Sequence, residues 1–199
     1  MVDTNKMIRE LRRVAKEENI PIMSDKGIDF LTTFILKNKI ETVLEIGTAV
    51  GYSAISMALV NPKLKVVTIE RDEERYMEAV KNVKKFELED RITCIFNDAL
   101  SVKLEDKFDL IFIDAAKGQN INFFERFQHN LNDNGYIITD NMKFHGYVDM
   151  PEEEIKNRNL RGLVRKIKEY KTYLEGNDKY TTEFSDIGDG LAISTPKID

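Results

Sequence analysis

Two short strings hold the residues best suited to chemistry, Phe112-Ile113-Asp114-Ala115-Ala116-Lys117 and Ile138-Thr139-Asp140-Asn141. Each closes an apolar, strand-like run. If the two strands are neighbours, their ends bring Asp114, Asp140 and Asn141 into one cleft. Three oxygen ligands with no His or Cys nearby select a hard cation such as Mg²⁺, with Mn²⁺ or Ca²⁺ as substitutes, and leave about three of six octahedral positions open. The competing reading is a pair of loop or helix-capping carboxylates, although Met142 and Lys143 start no obvious helix. Lys117 is the candidate base. An ordinary lysine titrates near ~10.4, and both burial and a divalent cation would favour its neutral form. The residue type fits a surface lysine or a substrate clamp as well.

A second constellation lies upstream. Glu45-Ile46-Gly47-Thr48-Ala49-Val50-Gly51-Tyr52-Ser53 ends the first strand-like run, and Gly47 and Gly51 permit a tight turn with close backbone approach to a ligand. The spacing is GxxxG, and Ala49 stands where a dinucleotide fingerprint has its second glycine. The loop therefore suits a nucleoside without phosphates. The next strand ends in Glu70, placed to accept hydrogen bonds from both ribose hydroxyls, and the third runs into Asn97-Asp98-Ala99, where Asp98 can accept from an adenine amino group. Each acid alone could be a solvated strand end; together they point to adenosine. A dehydrogenase, or a cofactor-binding module without catalysis, is the reading that Ala49 and the oxygen triad count against.

The elements that must position these groups follow from the pattern. Strand-like runs recur at ETVLEIG, LKVVTIE, RITCIF, FDLIFID and GYIITD, with helical stretches at about 52–60, 72–87, 119–131 and 152–174. Runs this apolar must be covered on both faces, which predicts an α/β fold, a doubly wound and mostly parallel sheet with helices on each side. KYTTEFSDI and GLAIST, joined by Gly188-Asp189-Gly190, predict a hairpin that adds an antiparallel C-terminal strand. Two helices come first: residues 4–18, with Met7, Ile8, Leu11, Val14 and Ala15 at helical spacing, and a second capped by Ser24 or Asp25 and running to Lys37, with Ile28, Leu31, Phe34 and Ile35 inward.

The whole of 1–199 reads as one domain, without repeats, linker or low-complexity segment. No run approaches the ~18–20 apolar residues of a membrane span, and the charged N-terminus has no signal-peptide character. The single cysteine, Cys94, excludes an internal disulfide, which fits a cytoplasmic location, and its apolar strand predicts a buried, inert thiol. The net charge of −5 excludes indiscriminate nucleic-acid binding. It conceals a local excess. Within 156–171, Lys156, Arg158, Arg161, Arg165, Lys166, Lys168 and Lys171 face one acid, Glu169. Arg158, Arg161, Arg165 and Lys168 share one helix face, opposite Leu160, Leu163, Val164, Ile167 and Leu174. Such a stripe can follow a phosphate backbone, attract the phosphates of a CoA thioester, or be an ordinary solvated face.

Taken together, these residues resemble the cation-dependent class I O-methyltransferases, the family of catechol and caffeoyl-CoA methyltransferases. The resemblance spans nearly the whole chain and is most specific in the pairing of IDAAK with TDN. It implies a Rossmann-like, seven-stranded domain that binds S-adenosylmethionine, with the N-terminal helices of 1–38 covering the cofactor. It further implies metal ligation by Asp114, Asp140 and Asn141, deprotonation assisted by Lys117, the ribose on Glu70, and Gly47, Ser53, Asp98, Ala99 and Asp114 against the rest of the cofactor. The strings IPIM, EIGTAVGYSAISMAL, FIDAAKGQ, ITDN and GDGLAIS are similar to the bacterial tRNA 5-hydroxyuridine methyltransferases, from which this chain departs in a shorter N-terminus. That similarity implies a homodimer and wobble 5-hydroxyuridine of tRNA as acceptor, and it would lay Met23 against the cofactor, where the residue type fits a core methionine equally well. The charge pattern of 156–171 is what suggests that this helix helps to hold the tRNA. A small phenol, catechol-like or CoA-linked, is the other acceptor that the same chemistry serves.

Overall fold

The computed structural model describes residues 3–197. Seven strands run in the order β3-β2-β1-β4-β5-β7-β6, the doubly wound and mostly parallel α/β arrangement that the sequence predicts. The chain clusters into two compact units, one through Lys103 and one from Leu104.

In the first unit, α1 (Thr4–Glu17) and α2 (Asp25–Lys37) precede β1 (Thr42–Ile46), α3 (Tyr52–Val60), β2 (Lys65–Glu70), α4 (Glu73–Lys85) and β3 (Ile92–Phe96). β2 pairs in parallel with β1 on one side and β3 on the other. Ser24 caps α2 by accepting from the Gly27 amide, and Asp72 caps α4 in the same way through Arg75. α3 is apolar around its circumference, and Tyr52 through Ala58 are all buried, as expected for a helix packed on every side. The inward faces of the first two helices are only partly covered: Ala15 is buried in α1 while Met7, Ile8, Leu11 and Val14 are half-buried, and Phe34 of α2 is half-buried too. Cys94 is half-buried rather than enclosed, yet burial and the nearby Glu45 push its thiol up to about 11. The thiolate is scarce and the side chain inert, as expected.

In the second unit, β4 (Phe108–Ile113), α5 (Asn120–Phe127), β5 (Leu131–Thr139), α6 (Arg158–Glu175), β6 (Tyr180–Ser185) and β7 (Leu191–Pro196) follow. β4 and β5 are parallel, and β7 runs antiparallel to both β5 and β6. The hairpin therefore inserts its second strand next to β5 and leaves the first outside it. Two helices are shorter than the periodicity predicts. α5 is flanked by 3-10 turns at Lys117–Gln119 and Gln128–Asn130, and Leu131, expected to end the helix, already begins β5, which passes through a register shift opposite Phe108–Leu110. α6 begins at Arg158 because Asn157 accepts from the Asn159 and Leu160 amides. Lys156 lies before the cap, outside the helix, and Glu152–Glu154 form a separate 3-10 turn. The face of α6 that is buried comprises Val164, Ile167, Tyr170 and Leu174, whereas Leu160 and Leu163 are half-buried. Among the described residues no helix is long and apolar enough to cross a membrane.

Candidate active site

The first unit gathers the nucleoside-type residues at the carboxyl ends of β1, β2 and β3. The Gly47 amide donates to the carbonyl of Ile69, 3.0 Å away, and the Asn97 amide donates to that of Glu70, also 3.0 Å. These bonds place the glycine loop beside the end of β2, and Asp98 beside it on the other flank. Gly47 and Gly51 both have positive φ (101° and 82°), and so does Ala49 (46°). The loop thus depends on glycine at two positions and strains an alanine at a third.

What holds Ala49 in place is Glu70. One carboxylate oxygen accepts from the Ala49 amide at 2.9 Å, and the other accepts from the amides of Arg71 (2.9 Å) and Asp72 (3.0 Å). A carboxylate oxygen has two lone-pair sites, so the oxygen facing Ala49 keeps one for a further donor. Asp98 is exposed and accepts from the Leu100 amide at 2.7 Å, closing its own turn, and Ala99 behind it is buried.

Ser53, by contrast, is committed inward: its hydroxyl donates to Glu45 at 2.5 Å. Thr68 donates to the other oxygen of Glu45 at 2.6 Å, and Thr48 meets Thr68 at 2.6 Å. Sequence reasoning assigned Glu45 no role, although it is fully buried in the centre of an apolar strand. A glutamate at an inward-facing strand position was the available signal, because a charge there must be paired or hydrogen-bonded. No side chain caps the start of α3, leaving the positive end of that helix at the loop. Met23 is buried, with its side chain over Gly27 of α2, where an added Cβ would come within 3.0 Å of it.

The second unit brings the candidate metal ligands together. Ile113 and Thr139 are register partners across β4 and β5, and the Asp140 amide donates to the Ile113 carbonyl at 3.1 Å. Asp114 and Asp140 consequently emerge side by side. Asn141 ties them: its side-chain amide donates to Asp114 at 2.9 Å, and its backbone amide donates to Asp140 at 2.7 Å. Asn141 has φ of 65°, a conformation asparagine tolerates better than most residues.

Lys117 Nζ stands 3.8 Å from Asp114. Burial raises the Asp114 carboxyl, with Lys117 and Asn141 opposing the shift. Burial, followed by the charge of Asp114, pushes Asp140 up to about 7. A buried carboxylate, Asp140, and a half-buried one, Asp114, in mutual repulsion, with one lysine at ion-pair range, form a site short of positive charge. Among the described residues no cluster of three or more His, Cys, Asp and Glu side chains has metal-binding spacing; the candidate set is two carboxylates and one amide. That set is all oxygen, and a hard divalent cation is the partner whose charge it fits.

Two residues of this region carried no sequence assignment. Asp189 raises both Asp114 and Asp140 through its charge; in the sequence it reads only as the middle of a Gly-Asp-Gly turn. Tyr170 of α6 meets Thr139, the residue before Asp140, at 2.8 Å from its hydroxyl.

The sequence model of a family described as O-methyltransferase matches residues 1–196. The caffeoyl-CoA O-methyltransferase of Stellaria longipes is 27% identical over 94% of this chain and 81% of its own length. The flavonoid 3',5'-methyltransferase of Vitis vinifera is 29% identical over 88% of this chain and 77% of its own. A Staphylococcus aureus structure provisionally assigned as a caffeoyl-CoA O-methyltransferase superposes with a TM-score of 0.91 at 36% identity, covering 96% of this chain and 92% of that one. An O-methyltransferase of Bacillus cereus, solved in complex with SAH, superposes with a TM-score of 0.82 at 25% identity, covering 96% and 91%.

Proposed function

Because this chain belongs to the O-methyltransferase family, we propose that it methylates one of two adjacent oxygens of its acceptor, using S-adenosylmethionine and a divalent cation. The observation that carries the reading is the adjacent carboxylates Asp114 and Asp140, bridged by Asn141. When bound, S-adenosylmethionine supplies an electrophilic methyl group and the cation supplies a Lewis acid that favours the deprotonated acceptor.

The residues of this chain do the rest. Glu70 accepts from the ribose through the lone pair that Ala49 leaves open, and the Gly47–Gly51 loop lets the backbone approach. Asp98 and Ala99 border the base, Met23 borders the cofactor, and Ser53 at the start of α3 borders the methionine end. Asp114, Asp140 and Asn141 hold the cation. Lys117, with Nζ 3.8 Å from Asp114, would take the acceptor proton as a neutral amine. Mg²⁺ is the expected ion, with Mn²⁺ or Ca²⁺ able to replace it.

For the acceptor, 5-hydroxyuridine in tRNA is the first reading, with a small catechol-like or CoA-linked phenol as the second. Both present two adjacent oxygens, and a wobble base lies in a single-stranded loop accessible without opening a duplex. Supporting the first is α6. Arg158 and Lys168 are exposed, and among the described residues neither has a carboxylate at ion-pair distance, a surface that suits a phosphate backbone or the phosphates of a CoA thioester and that a free catechol does not need. Supporting the second are the names of the plant relatives and the neutralisation of part of the stripe: Arg165 pairs with Glu152 at 2.6 Å, and Arg161 donates to the Ile155 carbonyl at 3.0 Å. Nucleoside analysis of tRNA from cells lacking the protein separates them. Loss of 5-methoxyuridine with accumulation of 5-hydroxyuridine is the expected result; an unchanged nucleoside profile refutes the tRNA acceptor.

A further inference from the structure

We propose that Asp189 is a positioning residue that clamps the strained segment following Asn141, so that Asn141 is held on Asp114 and Asp140. The inference rests on the cation reading above, and it concerns a residue to which neither the motifs nor the resemblance gives a role.

The segment 141–146 is unusual in its backbone. Asn141, Phe144, His145 and Gly146 all have positive φ, at 65°, 45°, 56° and 83°. Three of these are not glycine, and such conformations persist where the surroundings enforce them. Local turn bonds account for part of the enforcement, the Gly146 and Val148 amides donating to the Lys143 carbonyl (3.0 and 3.2 Å) and the Tyr147 amide to that of Phe144 (3.1 Å), ahead of the short 3-10 segment at Tyr147–Asp149. The β6–β7 turn holds the segment from outside. The amides of Met142 and Lys143 donate to the carbonyls of Gly190 (2.9 Å) and Asp189 (2.8 Å), immediately after Asn141. The Asp189 carboxylate then accepts from the His145 amide at 2.6 Å.

Three hydrogen bonds to two adjacent residues thus pin three positions of the segment, Met142, Lys143 and His145. The approach is close enough that a Cβ on Gly190 would lie 2.9 Å from the Lys143 amide nitrogen, and Gly190 itself has φ of 84°. Both facts require glycine beside Asp189. The second carboxylate oxygen of Asp189 is buried without a hydrogen bond, with His145 Nδ1 3.5 Å away.

Keeping an acid here costs something. Its charge adds to the repulsion already felt by Asp114 and Asp140. A carboxylate that opposes the charge of the pair and still accepts from a backbone amide contributes through that hydrogen bond. An amide oxygen at the same place would do as well, which makes the idea testable by substitution.

The experiment titrates Mn²⁺ into the full chain by electron paramagnetic resonance, for wild type, Asp189→Asn, Asp189→Ala and Gly190→Ala, with SAH affinity measured in parallel as a control for the fold. Losing a residue that orients a ligand weakens metal binding ~10–100-fold. That loss is expected for Asp189→Ala and for Gly190→Ala, which displaces the turn while leaving the carboxylate in place. Asp189→Asn, whose side-chain oxygen still accepts from His145, is expected to bind Mn²⁺ within about threefold of wild type. If Asp189→Ala fails to bind SAH, Gly190→Ala decides in its place. Wild-type affinity in the alanine variants overturns the inference, as does an Asp189→Asn variant as weak as Asp189→Ala, since charge rather than the clamp would then be responsible. No Mn²⁺ uptake by wild type overturns the cation reading and this inference together.

Discussion

Asn141 donates to both carboxylates of the candidate metal site, reaching Asp114 with its side-chain amide at 2.9 Å and Asp140 with its backbone amide at 2.7 Å. These two bonds are much of the hydrogen-bonding support the pair receives, and they leave Asp140 raised to about 7. An unfolded aspartate titrates near ~3.9. Between these values the folded chain holds a proton that the unfolded chain has released. The contribution to stability is therefore full below the unfolded pKa and is lost as pH rises through about 7. Without added metal, the melting temperature of the chain relative to Asp140→Asn should fall between about pH 4 and about pH 8. Parallel melting curves across that range would contradict the raised carboxyl.

Cation binding should show the opposite slope, because only the ionised carboxylates ligate. Affinity for Mg²⁺ or Mn²⁺ should rise with pH through about 7, with protons released on binding. Calorimetry in buffers of different ionisation enthalpy counts those protons; a count of zero at pH 6 argues against Asp114 and Asp140 as ligands. Asp140→Ala should abolish turnover while preserving SAH binding.

Removing Glu70 should weaken the cofactor by ~1.5–3 kcal/mol, the scale of hydrogen bonds to a charged group. Glu70→Gln should recover only part of this, since its NH₂ would face amides of Ala49, Arg71 or Asp72 that all need an acceptor. Isothermal titration with SAH measures both. A Glu70→Ala variant with wild-type affinity removes Glu70 from the cofactor site.

Lys117→Ala should lower kcat by ~10²–10⁴ with little change in SAH affinity, as for loss of a general base. Raising the pH should restore part of the rate, because the acceptor then ionises without help. Unchanged turnover at neutral pH would show that Lys117 serves only as an ion-pair partner of Asp114.

The basic helix needs a gentler test than a triple reversal of Arg158, Arg161 and Arg165. Two of those arginines are engaged with Glu152 and the Ile155 carbonyl, so reversing them would disturb the start of α6. Arg158→Glu combined with Lys168→Glu leaves those contacts intact. The tRNA reading expects a large, salt-sensitive loss on hydroxyuridine-containing tRNA and near-normal turnover of a free catechol. Equal activity on tRNA for variant and wild type would exclude this face as the RNA contact.

The strand ends and their acids were legible in the sequence because apolar runs announce buried parallel strands, and such strands expose chemistry at their carboxyl ends. Asp114, Asp140 and Asn141 meet for that reason. The start of α6 was not legible from periodicity: hydrophobic spacing continues back toward Glu152, and it is the side chain of Asn157, capping two amides, that decides the boundary. Asp189 was hidden for a different reason. Its partners Lys143 and His145 are 46 and 44 residues away, and a glycine-flanked aspartate looks like any turn. Ser53 shows the converse, a residue correctly located at the loop whose hydroxyl proton goes to Glu45, a partner inside the core that no local pattern reveals.

The insertion of β7 between β5 and β6 has a consequence for biosynthesis. β5 gains its second neighbour only when residues 191–196 have been made, so the strand that leads into Asp140 is an open edge during synthesis of everything before them. Its apolar segment Tyr136-Ile137-Ile138 is then free to pair with other chains. The turn that holds Met142, Lys143 and His145 arrives equally late. A ribosome-bound chain can assemble β1, β2 and β3 early, but the segment after Asn141 takes its final shape only once the β6–β7 turn has been made, and a nascent chain stalled before residue 190 is the aggregation-prone species.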